Sequence, residues 1–162
     1  MVRALFFLPS ISGYPDRVSL LKEVSTGLDS LTLLVGQKDA DVDTAGYDRF
    51  SVVDAGFRRG WLPWNMWRAS RMAEKMVGEA QVDVVHDTFG ALLPLFWRKR
   101  RYPGAWYVTS LYILVACRSR HVWGHLSTWY LLRHTKSMFF KRWIERQICL
   151  SADEVVLQAP GL

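Results

Sequence analysis

Cysteine is scarce. The 162 residues hold two, Cys117 and Cys149, in no CxxC spacing. That excludes a disulfide-stapled mini-domain and a zinc ribbon, and it reads as two buried thiols in a reducing compartment. Long apolar runs are missing too. The longest candidate, residues 105–117, holds Thr109 and Ser110 and falls well short of the ~20 residues a bilayer requires. Ala4-Leu5-Phe6-Phe7-Leu8 is cut off by Pro9, too early for the apolar core of a secretory leader. These absences put the chain in the cytoplasm or on the inner face of a membrane. No GxGxxG, P-loop, GxSxG or HExxH occurs. Dinucleotide, NTPase, serine-hydrolase and zincin chemistries therefore lose their usual signatures, and no cofactor or metal is expected.

Half of the residues are hydrophobic and 14% are aromatic, with eight Trp, so the chain is globular and some of those rings lie outside the core. Its length suits one domain that buries roughly two-thirds of its unfolded surface. The net charge of +6 is unevenly spread. Residues 1–97 carry ten Lys/Arg and twelve Asp/Glu, whereas residues 98–146 carry eleven Lys/Arg and the single acid Glu145. One basic block of this kind points to a polyanionic partner surface.

Strand and helix signals alternate along the chain. Apolar runs predict strands over residues 3–8, 31–35, 50–54, 82–86, 106–109 and 154–158. Between them, Asp16 can cap a helix with Val18, Leu21 and Val24 at helical spacing. A second helix reads over 61–80, with Met66, Ala69, Ala73, Met76 and Ala80 along one side, and a short one over 91–97. Residues 111–150 read as mostly helical, broken near Gly124. This order predicts an α/β, Rossmann-like doubly wound, mainly parallel sheet of about six strands with helices on both faces. Ligands of such sheets bind beyond the carboxyl ends of the strands. Residues 9–14, 86–90 and 109–112 are expected at that edge.

Candidate chemistry is sparse there. The first loop, Ser10-Ile11-Ser12-Gly13, has one glycine. Its backbone N–H groups can hold a phosphate or a sugar hydroxyl, or it is an ordinary strand-to-helix turn. His86-Asp87-Thr88 leaves the fourth strand, where a His beside an Asp can orient a sugar or act as a base. Neighbours on a strand point to opposite faces, which favours a histidine packed at the strand end. His121, His125 and His134 lie inside the basic region, and no zinc site is expected there.

The basic block interleaves cations and rings. Trp97-Arg98-Lys99-Arg100-Arg101-Tyr102 opens it, and Phe139-Phe140-Lys141-Arg142-Trp143 closes it. Trp and Tyr favour the lipid headgroup zone, and Lys/Arg attract anionic lipid at ~1 kcal/mol each near the surface. Arg98, Lys99, Arg100, Arg101, Lys141, Arg142 and Trp143 are the expected contacts. A solvated helix with its rings packed on the sheet is the plainer alternative. Nucleic acid is disfavoured, because the rings come in bulky apolar groups and no nucleic-acid motif is present.

Taken in order, these segments resemble the N-terminal half of GT-B glycosyltransferases of the family 4 (group 1) type. The matching pieces are RALFFLP, the Ser12-Gly13 turn, VDVVH at 82–86, WYVTS at 106–110 and WIERQICLSADEVVLQ at 143–158. The resemblance covers nearly the whole chain and implies a single acceptor-side domain over 1–158. Residues 159–162 then begin a linker to a C-terminal domain that binds the nucleotide sugar. The implied partners are a sugar or lipid-linked acceptor and an anionic membrane surface. Ser12, Gly13, His86 and Asp87 become candidate substrate contacts. The family commonly has histidines where Thr88 and Leu111 stand here, so no catalytic base is assigned. A catalytically inactive membrane-surface or partner-binding module derived from such a domain is the alternative.

Overall fold

A computed structural model describes residues 2–58, 62–80, 82–112, 140 and 142–158. The apolar run near the start forms strand β1 (Arg3–Ser10), the middle of the sheet. Alternate side chains leave its two faces. Leu5 and Phe7 enter one core layer, while Ala4 and Leu8 enter the other. Both faces are covered, which is why the sequence is continuously apolar instead of alternating.

Helix α1 (Pro15–Ser25) and strands β2 (Ser30–Gln37) and β3 (Phe50–Asp54) build outward on one side of β1. Helix α2 (Leu62–Ala80) crosses back to β4 (Val84–Asp87), which pairs with the other side of β1. Helix α3 (Leu93–Phe96), a 3-10 turn over Lys99–Arg101, β5 (Trp106–Tyr112), helix α4 over 142–151 and β6 (Glu154–Gln158) complete the sheet. The order is β3-β2-β1-β4-β5-β6, all parallel. Val18 and Leu21 of α1 pack in one layer, and α2, α3 and α4 pack in the opposite one. The chain turns back on itself between β1 and β4, and the carboxyl ends of those strands flank the resulting crevice.

The doubly wound parallel sheet expected from the sequence is thus present, with local corrections. Asp16 is not the cap of α1. Pro15 occupies the first helical turn, Tyr14 is the capping residue without a side-chain bond, and Asp16 lies inside the first turn. An acid there still meets the positive end of the helix dipole. Val24 is exposed, and Ser25 takes its buried place with its hydroxyl bonded to Lys22 O at 2.6 Å. Strand β5 runs on to Tyr112, because Ser110, Leu111 and Tyr112 pair with Val156, Leu157 and Gln158 of β6. Residues 111 and 112 are therefore strand and not the start of a helical region. Cys149 is a free, half-buried thiol raised by burial. Cys117, the other histidines, Gly124 and residues 159–162 lie outside the described residues.

The buried face of α2 carries one acid. Glu74 is almost fully buried and is answered by Arg98 at 2.7 Å, Arg71 at 3.2 Å and Arg101 at 3.9 Å. Tyr107 of β5 is 1% exposed, and its hydroxyl finds no hydrogen-bond partner among the described residues. Burial pushes that phenol up to about 12. A buried unsatisfied hydroxyl costs about 1–3 kcal/mol. Tyr107→Phe is therefore expected to hold or raise stability, by up to about 1 kcal/mol in urea unfolding. A loss of that size would mean that the hydroxyl has a partner.

Candidate functional site

The loop after β1 is fixed by the loop after β2. Asp39 Oδ1 accepts the N–H groups of Ile11 at 2.9 Å and Ser12 at 3.0 Å. The Ser12 hydroxyl donates to Asp39 Oδ2, a bond that holds the Asp39 carboxyl below the usual range. Ser12 is exposed but already engaged within the chain. Gly13 gives the turn room: a Cβ there would come within 2.8 Å of Ser10 Oγ. Tyr14 then reaches across the crevice to Phe89, ring to ring at 5.1 Å. Arg17, in the first turn of α1, lies over the Tyr14 ring at 5.8 Å. Two of the three loops expected at this edge are thus in contact.

His86 and Asp87 part company, as strand geometry requires. Asp87 faces the α3 layer and is fully buried. Its Oδ1 accepts the N–H groups of Phe89 at 2.8 Å and Gly90 at 3.1 Å, and its Oδ2 that of Leu92 at 2.6 Å. Burial pushes the carboxyl up to about 6, against the pull of the N–H groups of Leu92, Phe89, Gly90 and Ala91. Thr109 Oγ1 donates to Asp87 O at 2.8 Å and locks the strand end to β5. Asp87 shapes the loop that leads into α3, and its carboxylate is fully engaged by that loop.

His86 faces the α1 side and is half-buried. Its Nε2 lies 2.7 Å from Ser110 Oγ, and its ring meets the edge of Phe6 at 4.5 Å and 86°. Burial, and then the charge of Arg17, pull the imidazole down to about 4, so it is neutral at ordinary pH. The carboxyl edge at the crevice thus presents Ser12, Gly13, Tyr14, Arg17, His86 and Phe89, with Ser110 behind the histidine. Among the described residues, no group of three His, Cys, Asp or Glu can hold a metal ion.

The basic residues are more tied down than their sequence suggests. Arg98 bonds Glu74 and, through Nε, Pro94 O at 3.0 Å, and Lys99 pairs with Asp153. Arg100, Arg101 and Arg142 are exposed, and Lys141 lies outside the described residues. Trp143 is 45% exposed and Trp97 53%. Trp143 stacks on Phe140 at 5.9 Å and meets Trp97 edge-on at 6.0 Å. The result is a surface cluster of three rings on the α3–α4 layer. No described helix is long and apolar enough to cross a membrane.

No protein-family model matches the chain, and neither does any curated protein. Among solved structures it is similar to sucrose-phosphate synthase from Thermosynechococcus elongatus, with a TM-score of 0.58 and 12% identity over 98% of this chain and 77% of that one. The fold is glycosyltransferase-like. A UGT transferase from Siraitia grosvenorii, solved with UDP, is similar over 68% of this chain with a TM-score of 0.45 and 13% identity. UGT2 of Phytolacca americana is similar over 72% of this chain and 30% of that one, at 0.45 and 12% identity. This chain spans 24% of the Siraitia protein. At these identities the likeness is one of fold.

Sequence reasoning misses two features of this domain. Ser110 is the partner of His86, and its spacing in WYVTS, on the same face as Val108, was the available signal. Trp64 and Trp67, both about half-exposed, stack at 4.8 Å on the outer side of α2. Their three-residue spacing, away from the Met66–Ala69–Ala73 side, pointed to that contact.

Proposed function

We propose that this chain is the acceptor-binding domain of a GT-B glycosyltransferase of the family 4 type. The full enzyme moves a sugar from a nucleotide-sugar donor to a membrane-linked or polysaccharide-precursor acceptor. The donor site belongs to a separate C-terminal domain of that full enzyme. The observation that carries this reading is the convergence of the motif-bearing segments. Ser12 and Gly13, His86 of VDVVH and Ser110 of WYVTS come to one carboxyl edge of one parallel sheet, at the point where the strand order reverses. There Gly13 supplies backbone to the acceptor, Ser12 holds the turn through Asp39, His86 supplies a polar contact, and Asp87 keeps the loop in shape.

The exposed ring cluster Trp97–Phe140–Trp143, with the exposed Arg100, Arg101 and Arg142 of the basic block, supports a peripheral seat on the inner face of an anionic membrane. The alternative, an inactive module of the same ancestry, draws support from Thr88 and Leu111, which stand where the family has histidines.

The division of labour is tested by titrating the chain with nucleotide sugars in a calorimeter, and the membrane seat by sedimentation with vesicles. No nucleotide-sugar binding tighter than about 1 mM is expected, which is about −4 kcal/mol. Micromolar binding would overturn the acceptor-side assignment. Partition into phosphatidylglycerol vesicles at low salt should exceed that into phosphatidylcholine, and Trp97→Ser with Trp143→Ser should lower it about tenfold. Equal partition into both lipids would remove the membrane part of the reading.

A further inference from the structure

The parallel register sets His86 beside Val108, so Ser110, two residues on, projects from the same face of β5. Ser110 is 1% exposed, and among the described residues its hydroxyl meets one partner, His86 Nε2 at 2.7 Å. The protons of this pair can be counted. A hydroxyl has one proton to donate, and a neutral imidazole has one N–H and one bare nitrogen. If Nε2–H donated to Oγ, the Ser110 proton would be buried with nothing to accept it. If Oγ–H donates to a bare Nε2, both groups are satisfied and the ring proton sits on Nδ1. Nδ1 bonds no described residue and is not among the buried unpartnered atoms, and the His86 residue is only half-buried. The edge of Phe6 packed against the ring opposes its rotation.

We propose that Ser110 is a positioning residue that holds His86 as the Nδ1–H tautomer, so that His86 offers a fixed hydrogen-bond donor to an oxygen of the ligand. The identity of that ligand as a glycosyl acceptor rests on the proposed function; the tautomer does not. A donor at this point takes a sugar hydroxyl or a phosphate oxygen and rejects an ammonium group. It also removes His86 from the possible general bases, because its one bare nitrogen is occupied by Ser110.

The test is a long-range 15N–1H correlation spectrum of the ligand-free chain at neutral pH, with His86 assigned by its loss in His86→Gln. Nδ1 is expected to be protonated and Nε2 bare. Ser110→Thr keeps a hydroxyl and should retain that pattern, whereas Ser110→Ala should lower the Nδ1–H share at least twofold. A wild-type spectrum with the proton on Nε2 overturns the proposal, as does a Ser110→Ala spectrum that matches the wild type. The wild-type spectrum decides even if Ser110→Ala does not fold. Because no ligand is present, the result stands whatever becomes of the glycosyltransferase reading.

Discussion

Gly90→Ala is expected to destabilise the protein by about 2–5 kcal/mol. Two independent costs combine. Gly90 sits at φ 74°, in the left-handed region, where an L side chain costs about 1–2 kcal/mol. Its missing Cβ also makes room for α4: a Cβ there would lie 2.3 Å from Ile144 Cγ2, and Ile144 is buried. Overpacking of that kind costs about 1–3 kcal/mol. Gly46 separates the two, since it has φ 80° and a methyl placed on it would meet nothing within 4 Å. Gly46→Ala should show the backbone cost alone, about 1 kcal/mol. Ile144→Ala should recover part of the Gly90→Ala loss in a double-mutant cycle. Urea unfolding measures all three. Equal losses at Gly46 and Gly90 would mean that α4 does not press on the β4–α3 loop.

Asp87→Ala should also cost about 2–4 kcal/mol at neutral pH, because it leaves two buried N–H groups and one part-buried one without an acceptor. The gap between wild type and variant should depend on pH. Burial holds the folded-state carboxyl at about 6, above its ordinary value of 3.8. The folded state therefore binds the proton more tightly than the unfolded one. Stability from this group is fully present below about pH 4 and is lost as pH rises through about 6, by roughly 3 kcal/mol. The wild-type advantage should thus widen as pH falls from 7 to 4. An advantage that narrows instead would show that the N–H bonds outweigh burial and hold the carboxyl low. The 13C titration of the Asp87 carboxyl in wild type gives the same answer if the variant fails to fold.

The backbone plan is legible wherever a segment has one physical task. Residues 50–54 and 154–158 are bounded by turn or polar residues and carry their strands at the expected limits. Residues 3–8 betray a central strand because both faces need apolar side chains. Strand β5 reads short in sequence because residues from 111 on read as helical, and only the partners of the Thr109 and Ser110 hydroxyls, Asp87 O and His86, make those residues tolerable inside a sheet. Ser12 looks available in sequence because its acceptor, Asp39, comes 27 residues later from another loop. Strand alternation separates Asp87 from His86, but the sequence does not say which layer each side chain enters. Pairings between distant loops, and the choice of face at a strand end, are set by tertiary packing. The candidate site is made of such choices, so it is less legible than the sheet.

The strand order also has a consequence for synthesis. β1 must pair on both edges, with β2 on one side and β4 on the other. The β1–β2–β3 half is complete in sequence at Asp54, but β4 ends at Asp87. At roughly 5–20 residues per second, a ribosome leaves the inner edge of β1 unpaired for a few seconds after its outer partners exist. The face of β1 that carries Leu5 and Phe7 is also bare for that time, since its cover comes largely from elements made later. A nascent chain paused in the α2 region would therefore present an apolar strand edge, and chaperone capture should peak there and fall once residue 87 has left the exit tunnel.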